Sequence, residues 1–70
     1  MYILLTNSMG NPERFNTDNI VSIAASGDGT RSFIHGVGGG LAFEVKEDLK
    51  TIMEKIEEHQ KRNSHLKQGV

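Results

Sequence analysis

The chain has 70 residues, a formal net charge of −1 and no cysteine. That length allows one domain near the lower limit for folding alone, and the missing cysteine excludes disulfides and any thiolate-based zinc or redox centre. Residues 1–45 hold only Arg14 and Arg31 as basic side chains and sum to −2, whereas residues 46–70 sum to +1. With so little positive charge on the N-terminal two thirds, DNA or RNA is disfavoured as the main partner, because phosphate neutralisation supplies most nucleic-acid affinity.

The apolar run Met1-Tyr2-Ile3-Leu4-Leu5-Thr6 is too short for a signal peptide or a membrane span, and no basic stretch precedes it. A cytoplasmic location without membrane insertion is therefore expected, and the lack of cysteine fits a reducing compartment. Tyr2 to Thr6 reads as a first strand, with Ile3 and Leu5 on one face and Tyr2 and Leu4 on the other. Asn7-Ser8-Met9-Gly10-Asn11-Pro12 is dense in turn formers, and Pro12 is tolerable only at a strand start or edge. Glu13 to Phe15 then makes a short second strand hairpinned with the first, with Phe15 as its core residue.

Asn16-Thr17-Asp18-Asn19 predicts a tight or 3₁₀ turn, since its side chains bond to nearby amides. Ile20 to Ala25 is the third strand, expected to place Val21, Ile23 and Ala25 on one face. Ser26-Gly27-Asp28-Gly29 reads as a hairpin turn with positive-φ positions at Asp-Gly. Thr30 to His35 is strand four. Leu41 to Val45 is strand five, with Leu41, Phe43 and Val45 expected inward and Ala42 and Glu44 outward. Gly36-Val37-Gly38-Gly39-Gly40 between them predicts a mobile tip.

Asp48 is the expected N-cap of a helix whose apolar stripe is Leu49, Ile52, Met53 and Ile56, at the i, i+3, i+4, i+7 spacing of a sheet-packing face. Ile52 and Ile56 are expected to cover Ile23, Phe43 and Val45. The stripe stops after His59, which predicts a single α+β domain over residues 1–59 and a polar, basic, disordered tail over residues 60–70. The fold class is thus α+β: a small antiparallel β-meander of about five short strands, covered on one face by a C-terminal helix.

No motif assembles a reaction. The glycines lie between two strands rather than before a helix, and no Gly-Lys-Ser or Gly-Lys-Thr follows, so a phosphate loop is not formed. His35-Gly36-Val37-Gly38-Gly39 lacks the Gly-x-Ser-x-Gly elbow that an esterase would need. His35, His59 and His65 fit no zinc spacing, and Glu54, Glu57 and Glu58 read as a solvated helix face. No catalytic, cofactor-binding or metal-binding residue is expected, and the chain reads as a non-enzyme.

Two surfaces remain. Lys61, Arg62 and Lys67 are the candidate contacts for nucleic acid, though no aromatic accompanies them for base stacking. Tyr2 and Leu4 oppose Ile3 and Leu5, and Phe33 opposes Ile34, so one helix cannot cover them all. Tyr2, Leu4 and Phe33 are the expected homo-oligomer interface, a familiar use of surplus apolar surface.

The strand Ile3-Leu4-Leu5-Thr6, the segment Phe15-Asn16-Thr17-Asp18-Asn19-Ile20-Val21-Ser22-Ile23, and Thr30 to Ile34 form one ordered set of features. A glycine turn follows, then Phe43-Glu44-Val45-Lys46-Glu47 leads into Ile52 and Ile56. Together they resemble a family of small proteins encoded with bacterial flagellar and swarming-motility genes, over about residues 1–57. The outline is also similar to small phage and mobile-element proteins. The chain departs from the motility pattern in having Thr17 where the family has proline, and in its longer glycine tip. The resemblance implies a non-enzymatic accessory protein that works through partner contacts. With the surplus apolar face, the leading reading is a non-catalytic cytoplasmic interaction module that self-associates and docks on a larger protein assembly. The alternative is a phage-type regulator that binds a host protein or nucleic acid through the basic tail.

Overall fold

The computed structural model describes the backbone of residues 1–68 and the side chains of residues 1–61. Five antiparallel strands precede one helix: β1 (Tyr2–Thr6), β2 (Pro12–Asn16), β3 (Ile20–Ala25), β4 (Ser32–Gly36), β5 (Phe43–Val45) and α1 (Leu49–Gln68), with a 3₁₀ turn at Thr17–Asn19. The α+β class stands as read from the sequence. The strands divide into two sheets, a β1–β2 ribbon and a β3–β4–β5 sheet.

The ribbon sets Ile3 opposite Phe15 and Leu5 opposite Glu13. Its turn is organised by Asn7, whose carboxamide oxygen accepts from the Met9 and Asn11 amides at 3.0 Å each. Pro12 opens β2, where a missing N–H does no harm. The 3₁₀ turn begins at Asn16, whose side chain accepts from the Asp18 amide, and it separates the ribbon from the second sheet.

Loop Ser26–Arg31 joins β3 to β4. Asp28 has no positive φ here; only Gly29 does, at 77°. Asp28 acts through its side chain: Oδ1 accepts from the Ser26 hydroxyl at 2.7 Å, the Thr30 hydroxyl at 2.8 Å and the Thr30 amide at 3.1 Å. These bonds hold Thr30 in the loop, and the Arg31 amide donates to the Ser26 hydroxyl, so β4 starts at Ser32 and not at Thr30.

The sheets meet where Asn7 bridges to Val45 and the Lys46 amide donates to the Thr6 carbonyl at 2.8 Å. Ile3, Leu5, Ile34, Val45 and Ile52 form the buried core, with Phe15, Ile20, Ile23 and Ile56 packed around it. Helix α1 contacts β1 and β3. Asp48 caps it, accepting from the Thr51 amide at 2.8 Å. The hydroxyl of Thr51, and then its amide, hold the Asp48 carboxyl below its ordinary value.

Three expectations about faces are corrected. A bulge between Ile20 and Ser22 breaks the alternation of β3, so Val21 is 67% exposed and the inward pair is Ile20 and Ile23, with Ala25 also exposed. Strand β5 has only three residues. Leu41 lies outside it and is 93% exposed, released by positive φ at Gly38, Gly39 and Gly40. Phe43 is exposed and packs edge-on against Phe15, with ring centroids 6.1 Å apart; it lies outside the core cluster that contains Ile52. The segment 60–70, read as a tail, begins within α1; its residues 69–70 and the side chains from 62 onward lie outside the described part.

Candidate functional site

The Tyr2 and Leu4 side chains stand on the outer face of the ribbon, 59% and 55% exposed, because Ile3 and Leu5 take the core side of the same strand. Across the ribbon their partners are Asn16 and Arg14. The Arg14 guanidinium lies over the Tyr2 ring, 6.0 Å from its centroid. Lys55, Glu58 and His59 of α1 border a shallow pocket beside Tyr2 and Leu4.

Phe33 is half-buried and belongs to the other sheet, in a cross-strand row with Ala24 and Glu44. Its neighbours Ser32 and Ile34 take the core side. Tyr2 and Leu4 therefore share a surface, and Phe33 lies on the outer face of a separate sheet. Of the basic trio, Lys61 is exposed on α1; the side chains of Arg62 and Lys67 lie outside the described residues.

Sequence reasoning missed a groove of about 460 Å³ between β3 and α1. One wall is Ile20, Val21, Ser22 and Ile23, and the other is Met53, Ile56 and Gln60. Four consecutive strand residues line it, whereas a strand face would contribute only alternate ones. The bulge between Ile20 and Ser22 accounts for this, since it breaks the alternation at the start of β3. Its helical wall is a single stripe at i, i+3 and i+7. Met1, Thr17 and Asp18 also line it, with the terminal amine 3.9 Å from the Asp18 carboxylate. The sequence signal for it was the spacing of Ile20 and Ile23, three apart, which alternation cannot satisfy and a bulge can.

A second apolar area lies at the far end, where Phe15, Phe43, Ala42 and Met9 are rimmed by Glu13 and Glu44. Glu44 pairs with Arg31 at 3.0 Å. A polar clamp joins β1 to the segment before α1. The Glu47 carboxylate accepts from the Thr6 amide at 2.8 and 3.0 Å and from the Thr6 hydroxyl at 2.8 Å. Burial pushes the Glu47 carboxyl up. The Thr6 donors, its own amide and Lys55 outweigh that and hold it below its ordinary value. Each Glu47 oxygen has a donor from the strand it fastens, which makes it a structural carboxylate.

Among the described residues no group of three or more His, Cys, Asp or Glu side chains is placed to hold a metal ion, and no helix is long and apolar enough to cross a membrane. Compared with protein-family models, curated proteins and solved structures, the chain matches none.

Proposed function

We propose that this chain is a non-catalytic, cytoplasmic interaction module that self-associates and docks on a larger protein assembly. The observation that carries the reading is the ratio of covered to uncovered apolar side chains. Five hydrophobic residues are buried, while eight large ones, among them Tyr2, Leu4, Val21, Leu41 and Phe43, are exposed among the described residues. Isolated exposed hydrophobes are ordinary, but clusters of them on a domain this small mark surfaces for association. Self-association would also relieve the shortage of core that a short chain without disulfides faces.

In this reading Tyr2 and Leu4 are the centre of the self-association surface, with Arg14 and Lys55 at its rim, and Phe33 contributes from the second sheet. The resemblance to flagellar and swarming-motility accessory proteins agrees with such a role and makes a bacterial motility assembly the first partner to test. Sedimentation equilibrium at micromolar concentration tests the first half. The wild-type chain is expected to sediment above the monomer mass, and Leu4→Glu, a change on the exposed face, is expected to return it to a monomer. A wild-type monomer would overturn self-association.

A further inference from the structure

The strand edges of the molecule are not protected alike. Strand β2 carries Pro12, Glu13 and Arg14, a proline and two charges, which are standard obstacles to strand addition. Strand β5 is three residues long and is met at its end by the Asn7 bridge. Strand β3 is uncharged, but the bulge between Ile20 and Ser22 breaks its register, and a bulge is itself a device that blunts an edge. Strand β1, Tyr2-Ile3-Leu4-Leu5-Thr6, has no charge and no proline, and it pairs with β2 in unbroken register.

Backbone bonds at its two ends tell which groups of β1 face outward. The Met1 carbonyl accepts from the Thr17 amide and the Asn7 amide donates to the Asn11 carbonyl, both across the ribbon. Backbone groups alternate along a strand, so the odd residues point theirs to β2, and Tyr2, Leu4 and Thr6 point theirs away. Thr6 is used on that outer side: its amide donates to Glu47 and its carbonyl accepts from the Lys46 amide. Tyr2 and Leu4 have no strand on that side among the described residues. A shallow pocket of about 210 Å³ lies there, touching Tyr2, Ile3 and Leu4 in succession, which a strand without a bulge offers at its edge and not on one face.

This edge is complementary to itself. In an antiparallel pair centred on Ile3, Tyr2 lies opposite the partner's Leu4, and the amides and carbonyls of both residues bond across in each copy. Centring the pair on Leu4 would set Tyr2 against the partner's Thr6, whose backbone groups Glu47 and Lys46 already hold. On the outer face the same register lays each exposed Tyr2 beside an exposed Leu4. Charge agrees with a second copy. Helix α1 starts at the Thr6 end, where Glu47 is fastened, and passes Met1 with Ile56 and Gln60, so Lys55 stands toward Leu4 and Glu58 toward Tyr2. A two-fold axis reverses that order and sets Lys55 of one copy toward Glu58 of the other. We infer that two copies of this chain pair antiparallel along β1, in the register centred on Ile3, to make one sheet from both ribbons. This rests on the self-association reading and names the backbone edge and register through which it occurs.

The test uses the full chain, made by chemical synthesis with and without a methyl group on the Leu4 amide nitrogen, every side chain being kept. That amide is not used within the ribbon, so the methylated chain is expected to keep its circular dichroism. In sedimentation equilibrium the unmodified chain is expected to form a dimer. Methylation is expected to raise its dissociation constant about tenfold or more, since each copy loses one hydrogen bond. Hydrogen exchange on the unmodified chain reads the same contact without a variant: the Leu4 amide is expected to slow as concentration rises through the dimer range. A dimer equally tight after methylation, or a Leu4 amide that exchanges at one rate at every concentration of a dimerising chain, would overturn the edge pairing. Self-association through the Tyr2 and Leu4 side chains would then still stand. A mass above the dimer would also overturn it, because a two-fold pairing closes with two copies. An unmodified chain that stays monomeric would overturn this inference and the self-association reading together.

Discussion

Ile52 and Met53 are neighbours in one helix, yet they serve opposite sides of the molecule. Ile52 enters the junction of β1, β5 and α1 and is fully buried with Leu5 and Val45. Met53 faces the β3 groove and stays 42% exposed. The junction is fastened by polar bonds as well: Glu47 to Thr6, Lys46 to Thr6, and Asp48 to Thr51. The groove side has a 3.9 Å ion pair and a bulged strand. A helix with a broad apolar stripe and only two narrow sheets to cover leaves part of that stripe for other contacts. The two sides therefore divide the work, one holding the fold and the other offering a surface.

The largest effects are expected at the junction. Ile52→Ala should cost about 2–5 kcal/mol, the range for truncating a fully buried aliphatic side chain. Ile56, half-buried at the border of the two regions, should lose less. Met53→Ala should cost under about 1 kcal/mol, since little packing is lost and alanine is the best helix former. Urea unfolding of the three variants checks the order. Equal losses at Ile52 and Met53 would erase the distinction between the two sides.

The Glu47 clamp sharpens the comparison through pH. Its carboxyl is held below the ordinary glutamate value of 4.5. A group with a depressed folded pKa contributes its stability in full above the unfolded value and loses it as pH falls through the folded one. Wild-type stability should thus decline as pH drops below about 4.5. Glu47→Gln should flatten part of that decline. At neutral pH the same variant should cost about 1.5–3 kcal/mol, because hydrogen bonds to a charged acceptor are lost and the Thr6 donors are left facing an amide. Denaturant midpoints measured between acid and neutral pH decide it; an identical pH profile for both proteins would rule out the clamp as a stabilising contact.

Most of the elements were legible because local rules govern them. Strands β1 and β3 were read at their observed bounds, the Asn16–Asn19 turn follows from its side-chain acceptors, and Asp48 caps α1 as its position predicts. Sidedness was less legible. The bulge between Ile20 and Ser22 breaks the alternation at the start of β3, so Val21 leaves the expected face and Ile20 takes it, while Ile23 keeps it. Leu41 and Phe43 alternate correctly with Val45, but the glycines before them end the strand early. The Thr6–Glu47 clamp joins residues 41 apart and has no local signature. The groove arises from how two such distant elements approach, which periodicity within either one does not encode.

The smallest expected effect, and the one with the opposite sign, lies inside the tight region. Ser32 is fully buried in the row Ala25–Ser32–Val45, and its hydroxyl has no hydrogen-bond partner. Taking a hydroxyl out of water without a partner costs about 1–3 kcal/mol in proteins. Its backbone groups serve strand pairing and are untouched by a side-chain change. Ser32→Ala removes only the oxygen and keeps the Cβ, so the void it leaves is smaller than a methyl group. Alanine should therefore raise stability by up to about 1 kcal/mol, the desolvation relief less a minor packing loss. The matching change at Ser26 should act the other way, because that hydroxyl donates to Asp28 at 2.7 Å and accepts from the Arg31 amide at 3.1 Å. Thermal unfolding of both variants separates the two cases. A loss at Ser32 comparable to that at Ser26 would mean that its hydroxyl is bonded in solution, and the junction would then hold a buried polar contact in place of an orphan.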